Sequence, residues 1–360
     1  MTSPTIVPLV GTVGVPARYG GFETLAEQLC RYVSADDVEF VVYCERRAYA
    51  EGERGVRFAG HRRIFLSLRA NGMASLFHDA MALIDAVFHQ NAREVFIFGY
   101  SGAWILPLLK LVRPQVRYIV NVDGMEWRRD KFSAPTRLLL KALEWCAART
   151  ASVVIADNAA LAELFRNRYQ REPVVIAYGG DHTVLPALAT SSASPLPDGH
   201  YLAIARIEPE NNTETIIQGC IAAGVPLAFV GNWKANAYGT ALRARYGQTP
   251  GITLLDPLYD QRALAHWRAG AIGYIHGHSV GGTNPSLVEA LFHTDRMVSF
   301  DCSFNRATLS GAGAYFADAD ALATLLRHGL TPIPAVELAQ LRSTYCWDGI
   351  TARYLALLQR

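Results

Sequence analysis

The 360-residue chain lacks paired cysteines: Cys30, Cys44, Cys146, Cys220, Cys302 and Cys346 are scattered with no CxxC spacing. That excludes a zinc ribbon and a disulfide framework, and a reducing, cytoplasmic setting is expected. No apolar run approaches the ~20 residues of a membrane span. The longest, residues 103–112, contains Pro107 and Lys110. The first residues enter an apolar strand, TIVPLVGTVG, without a basic flank, so no secretory leader is expected there. Neither sign of charge is in excess: 34 Lys and Arg against 32 Asp and Glu leave +2, which argues against a general nucleic-acid binder. Low-complexity tracts are missing too. With 51% apolar residues the chain is globular and long enough for two hydrophobic cores.

What is there alternates. Short β-branched runs at 6–10, 39–43, 94–98, 117–121, 152–156 and 174–177 predict strands, with helices over 24–33, 75–90, 104–112, 136–150 and 158–169. Runs such as VFIFG and SVVIA fit strands buried on both faces. Residues 181–198, rich in Ala, Ser, Thr and Pro, read as a linker. A second series follows: strands at 201–204, 227–230, 252–254, 272–276 and 297–300, and helices at 212–223, 237–246, 260–269, 285–292, 319–327 and 347–358. The fold class is α/β, with two Rossmann-like domains facing a central cleft at the carboxyl ends of their strands. Domain bounds are expected at 1–185 and 199–342, the helix in 343–360 packing back on the first domain.

Three segments carry chemistry. The first strand leads into GTVGVPARYGGFET, where Gly14, Gly20 and Gly21 let the backbone approach a ligand and Arg18 and Tyr19 stand among the glycines. A plain turn leaves those two side chains unexplained, and the spacing is not the dinucleotide GxGxxG. In YIHGHSVGGTNPSLVEA a strand ends and a helix opens with Pro285 near its first position and Thr283 or Asn284 as cap. Amide groups around Gly282, Thr283, Asn284 and Ser286 suit a diphosphate, beside His276 and His278; Glu289, one turn on, suits ribose hydroxyls. ARIEPENN brings Arg206 to a third strand end, where a guanidinium can take a phosphate bidentately and Asn211 or Asn212 can cap the helix.

Taken together, GTVGVPARYGGFET, ARIEPENN and HGHSVGGTNPSLVEA resemble retaining GT-B glycosyltransferases of family 4. The likeness is to a bacterial branch that includes rhamnosyltransferases of cell-surface polysaccharide synthesis and has an N-terminal half of the DUF1972 type. The resemblance spans nearly the whole chain. It implies a sugar-nucleotide donor as co-substrate, no cofactor and no metal. By position it implies Arg206 on the donor diphosphate, with Asn211 or Asn212 where a lysine is usual, and Glu289 on the ribose. The first glutamate of the E-x7-E pattern falls at Gly281. The base would lie near Leu258 and Tyr259.

On the acceptor side, Asp123 or Glu126 can orient a hydroxyl and Trp127 can stack on a sugar, while a solvated loop with a buried tryptophan accounts equally for Glu126. Tyr100 occupies an equivalent strand end. Asp318 and Asp320 match a DxD pattern, but at a helix start capping is the favoured reading. Residues 110–149 hold nine Lys or Arg against four acids. The basic amphipathic helix there suits either anionic headgroups of a membrane bearing a lipid-linked acceptor or simple packing in water. Two rivals stay open: a GT-B sugar-nucleotide epimerase and a silent sugar-nucleotide-binding module.

Overall fold

The structure is a computed structural model that describes residues 4–18, 20–122, 124–128, 132–185, 196, 199–258 and 260–359, leaving aside the side chains of Glu126 and Gln261. The chain divides into two compact units, Met1–Ala177 with Trp347–Arg360, and Tyr178–Cys346.

In the first unit the strands are β1 (Thr5–Val10), β2 (Val38–Glu45), β3 (Arg57–Phe58), β4 (His61–Leu66), β5 (Glu94–Phe98), β6 (Arg117–Val122), β7 (Val153–Ala156) and β8 (Val174–Val175). They lie in the order β3-β4-β2-β1-β5-β6-β7-β8, parallel except for the β3–β4 hairpin. The helices are α1 (Gly21–Tyr32), α2 (Ser75–Phe88), α3 (Leu106–Val112), α4 (Ala134–Thr150) and α5 (Ala159–Tyr169). Right-handed crossovers put α1 on one face of the sheet and α2 to α5 on the other, because the chain runs leftward from β1 to β4 and rightward from β4 through α2 onward. Every residue of β5 is buried, as expected of a strand covered on both sides.

β4 was not expected from the sequence. Its HRRIFL run hides the strand pattern behind two arginines, one ion-paired and one hydrogen-bonded to backbone carbonyls. Arg62 pairs with Glu39, 3.1 Å away. The buried Arg63 donates to the carbonyls of Gly55, Val15 and Glu53 at 2.8–2.9 Å. The C-terminal helix, Trp347–Leu355, is shorter than the expected 347–358 and belongs to this first unit.

The second unit carries β9 (Tyr201–Ile204), β10 (Leu227–Val230), β11 (Ile252–Leu255), β12 (Gly273–His276), β13 (Met297–Phe300) and β14 (Ala314–Phe316). Its helices are α6 (Thr213–Ala223), α7 (Ala237–Tyr246), α8 (Gln261–Ala269), α9 (Pro285–Ala290), α10 (Ser303–Thr308), α11 (Ala319–His328) and α12 (Ala335–Thr344). The parallel order β11-β10-β9-β12-β13-β14 is the doubly wound arrangement, in which the chain reverses direction between its first and fourth strands. Trp233, Phe229, Ile217 and Leu322 fill one core cluster under it. The sequence reading omitted β14, α10 and α12, whose three- to ten-residue lengths give periodicity too few repeats to show.

Candidate functional site

In a doubly wound sheet the crevice opens beside the two strands where the order reverses. In the second unit those strands are β9 and β12, which pair through Gly273 with Tyr201 and Tyr274 with Leu202. Their exits are residues 205–212 and 277–284, two of the segments singled out above. The exits are stitched together. Asn211 donates from Nδ2 to the Arg206 carbonyl at 2.6 Å, which turns its Oδ1 toward His278 Nδ1, also 2.6 Å away. His278 must therefore carry its proton on Nδ1 when neutral, leaving Nε2 as the acceptor on the side of Gly281. Asn212 donates to the Gly277 carbonyl at 2.8 Å, and the Ser279 amide and hydroxyl both reach the Glu210 carbonyl. A Cβ on Gly277 would stand 2.1 Å from the Asn211 carbonyl oxygen, so the close approach needs glycine.

Neither Asn211 nor Asn212 caps α6. Asn212 takes a left-handed φ of 49° and turns its amide across to the neighbouring loop instead. Arg206 stands exposed at the end of β9. His276, the last residue of β12, is buried with its ring stacked on Tyr274 at 6.2 Å. Burial, aided by His278, holds its imidazole far below the usual histidine range. It enters the site as a neutral hydrogen-bonding group, not as a cation.

At the start of α9, Asn284 is the cap: its Oδ1 accepts from the Ser286 amide at 3.1 Å and from the Ser286 hydroxyl at 2.8 Å. Gly282 and Thr283 are buried just before it. Glu289 does not stand alone in its helix. Its carboxylate takes Arg268 of α8, which is itself buried, and lies 3.7 Å from His182 Nε2. Burial pushes the Glu289 carboxyl up and Arg268 opposes it. Burial foremost, and the Arg268 charge second, bring His182 down to about 4 despite the nearby carboxylate. His293 is held at about 4 in the same way. Thr183 gives its hydroxyl proton to the Gly180 carbonyl at 2.7 Å, so His293 Nε2, 3.0 Å off, is the donor to Thr183. The segment 180–183 is thus fastened to α9 and its following turn. Asp318 caps α11 through the Ala321 amide at 2.8 Å.

In the first unit, the glycine-rich exit of β1 is satisfied largely from within. The Val13 amide donates to Glu23 at 2.7 Å and the Ala17 amide to Glu27 at 2.6 Å. A Cβ on Gly14, at φ +126°, would strike Cys44. Gly20 precedes α1 and Gly21 begins it. Arg18 lies over the Tyr49 ring, gives one nitrogen to the Ala48 carbonyl and pairs with Glu53. Tyr100 is buried and donates to the Gly124 carbonyl at 3.3 Å. Trp127 donates to the buried Glu144 at 2.9 Å, and Lys141 and Arg168 sit over its ring at 4.6 and 4.7 Å. That packing leaves Trp127 half-buried. Tyr19, Asp123 and Tyr259 lie outside the described residues, as does the Glu126 side chain.

Comparison with known proteins bears on this geometry. Residues 5–181 match the family described as DUF1972, a domain of unknown function. A search of curated proteins finds no match. Among solved structures, sucrose-phosphate synthase from Thermosynechococcus elongatus is similar at a TM-score of 0.79 and 15% identity, with 98% of each chain covered. A glycosyltransferase from Rickettsia africae gives 0.73 at 11% identity, over 99% of this chain and 98% of that one. The Anabaena protein HepE in complex with UDP and glucose gives 0.70 at 13%, over 98% and 99%. The fold is GT-B.

Within this GT-B chain, the glycine at the expected first glutamate has a backbone cause. Gly281 takes φ +118°, which side chains rarely adopt, and a Cβ there would come within 3.2 Å of His278 Nε2. One cation escaped the sequence reading. Lys234 is the single lysine between residues 178 and 346. It stands exposed in the turn after β10, the strand beside β9. Asn236 of that turn donates to the Ile207 carbonyl at 2.7 Å, tying it to the Arg206 loop. Parallel pairing of β9 with β10, invisible in a linear scan, is what brings Lys234 to this edge.

Proposed function

We propose that the chain is a retaining, family 4-type glycosyltransferase that moves a sugar from a nucleoside diphosphate to an acceptor hydroxyl. The donor of first choice is dTDP-L-rhamnose. The acceptor is a glycan or lipid-linked oligosaccharide of cell-surface polysaccharide, met on the cytoplasmic side. The observation that carries the reading is the meeting of the 205–212 and 277–286 segments at the strand reversal of the second unit, with Arg206 exposed beside them. Support also comes from the similar HepE structure, which is a complex with UDP and glucose.

Breaking the donor bond leaves positive charge on the sugar and negative charge on the departing diphosphate. Arg206, assisted by Lys234, and the amides around Gly282–Asn284 neutralise the diphosphate, so the reaction calls on no metal. The acceptor enters on the face the diphosphate leaves, and its proton passes to the diphosphate oxygen. No side chain need act as nucleophile. His276 and His278 hold the donor, Glu289 takes the ribose through the carboxylate that Arg268 orients, and Tyr259 flanks the base. In the first unit Asp123, with Tyr100, Glu126 and Trp127, serves the acceptor, and Gly14, Arg18, Tyr19, Gly20 and Gly21 serve the donor.

A thermal-shift screen of UDP, ADP, GDP and dTDP tests the reading. A bound nucleotide stabilises by mass action, about 2.7 kcal/mol at a hundredfold excess over Kd. Labelled donors with lipid-linked acceptors then test transfer. Absence of any nucleotide shift overturns the proposal. Conversion of donor to an isomer without acceptor identifies an epimerase, and binding without turnover a silent module.

A further inference from the structure

We propose that the outer face of α2, α3 and α4 in the first unit docks on an anionic lipid bilayer. The inference does not depend on the proposed sugar transfer. Its first ground is that α2 is amphipathic in the wrong sense for water. Each exposed residue of Ser75–Phe88 is apolar: Phe77, Met81, Ile84 and Phe88, at i, i+4, i+7 and i+11 along one stripe. The acids of the helix point the other way. Asp79 is buried against His78, and Asp85 accepts from the Tyr43 hydroxyl at 2.7 Å and from Gln90 at 3.0 Å. A helix in water turns its charges out and its large side chains in. This one keeps its acids in and leaves four large apolar side chains out, although Leu83 and Val87 fill its inner face.

The stripe continues sideways. Trp104 meets Phe77 edge-on at 6.3 Å and donates to the Leu76 carbonyl at 2.9 Å. Along Trp104–Val112 every exposed residue is again apolar: Trp104, Pro107, Leu108, Leu111 and Val112, with Leu111 at 79% exposure. Then comes α4, packed beside α3, with Leu138 at 70% and Trp145 at 52%. The sequence left the basic helix over 136–150 open between anionic headgroups and simple packing in water. The structure shows that α2 and α3 carry more of the apolar area. An exposed apolar surface spread over three helices exceeds the scattered single residues of an ordinary surface.

Charge decides the occupant. Arg113 lies over the Phe88 ring at 5.3 Å and Arg149 over Trp145 at 5.9 Å. Arg93, between α2 and β5, is exposed as well. Among the described residues of 75–150, Asp79, Glu94 and Glu144 are buried and Asp85 is half-buried, so none of these acids is exposed. A second copy packed on this face by twofold symmetry would set arginines against arginines. An anionic lipid surface answers both features, taking the aliphatic side chains below its headgroups, the tryptophans at their level and the arginines among the phosphates.

The test uses the full chain, with vesicles of phosphatidylcholine and phosphatidylglycerol compared with phosphatidylcholine alone. The chain should co-sediment with the anionic vesicles, less with the neutral ones, and less as salt rises. Phe77→Glu with Ile84→Glu should lower the bound fraction roughly tenfold or more, because each substitution forfeits the burial of a large side chain. Val336→Glu, at an exposed apolar site on α12 of the second unit, should leave binding as it was. If the double variant does not fold, Leu111→Glu alone serves in its place. Binding unchanged by these variants, or absent in the parent, overturns the proposal. So does a parent that dimerises without lipid while Leu111→Glu stays monomeric, which assigns the face to a second copy.

Discussion

Arg206 is where a single side chain is asked for the most. Its guanidinium is exposed at a strand end, so truncation should strike the chemistry far more than the fold. Arg206→Ala should keep the parental melting temperature and lower turnover about 10²–10³-fold, on the order of 3 kcal/mol of transition-state stabilisation. Steady-state kinetics beside a melting curve check it, and near-parental turnover removes Arg206 from the role. Gly281 makes the opposite case. Restoring the expected glutamate there forces a side chain onto φ +118° and against His278. Gly281→Glu should therefore cost about 1–3 kcal/mol of stability without tightening nucleotide binding. A denaturation curve showing no loss would sink that account.

Residues of this kind were readable in the sequence because glycine, proline and a strand-end arginine announce local backbone needs. Arg268 was not. It stands in the last turn of α8, where a surface arginine is ordinary, and only tertiary packing makes it the buried partner of Glu289. The partners of Arg18 were equally hidden: its place among the glycines says nothing of Glu53 and Ala48, more than 25 residues away, which hold it.

At the scale of elements, the loops leaving β9 and β12 behave as one object, since the hydrogen bonds that shape each come from the other. Asn211→Ala and His278→Ala should accordingly be non-additive, with a coupling of about 1 kcal/mol in a double-mutant cycle read by denaturation. Additive losses would show the loops to be independent. Such pairing is beyond a linear reading, which located both loops and the strands before them but assigned Asn211 and Asn212 to capping. Fastening of the 180–183 segment to α9 gives a second element-scale consequence. His182 and His293 titrate near 4 when folded and near the ordinary 6.5 when unfolded. Between those values the unfolded chain holds more protons than the folded one, so stability falls as pH drops from 6.5 to 4 and is flat above that window on their account. The loss should be on the order of 3 kcal/mol for each. Urea denaturation across this range, compared with His182→Asn and His293→Asn, checks the sign; an unaltered slope in both variants rules the histidines out.

For the molecule as a whole, the chain's path matters more than its length. It builds the first unit, passes at residue 178 into the second, and at 347 returns to finish the first. The returning helix is not an appendage. Trp347, Ile350 and Tyr354 are buried in it, the Tyr354 ring meets Phe96 of β5 edge-on at 5.5 Å, and its hydroxyl accepts from Asn121 Nδ2 of β6 at 2.6 Å. Each large side chain buried there contributes roughly 1.5–3 kcal/mol, and a domain's net stability is about 5–15 kcal/mol. Ending the chain at Cys346 therefore removes a large share of what holds the first unit together and deletes no residue of the second. Hydrogen exchange should show β5 and β6 losing protection in the truncated chain while β9 and β10 keep theirs. Loss in both sheets would mean that the two units fold as a single cooperative block, and loss in neither that the helix merely lies on the surface.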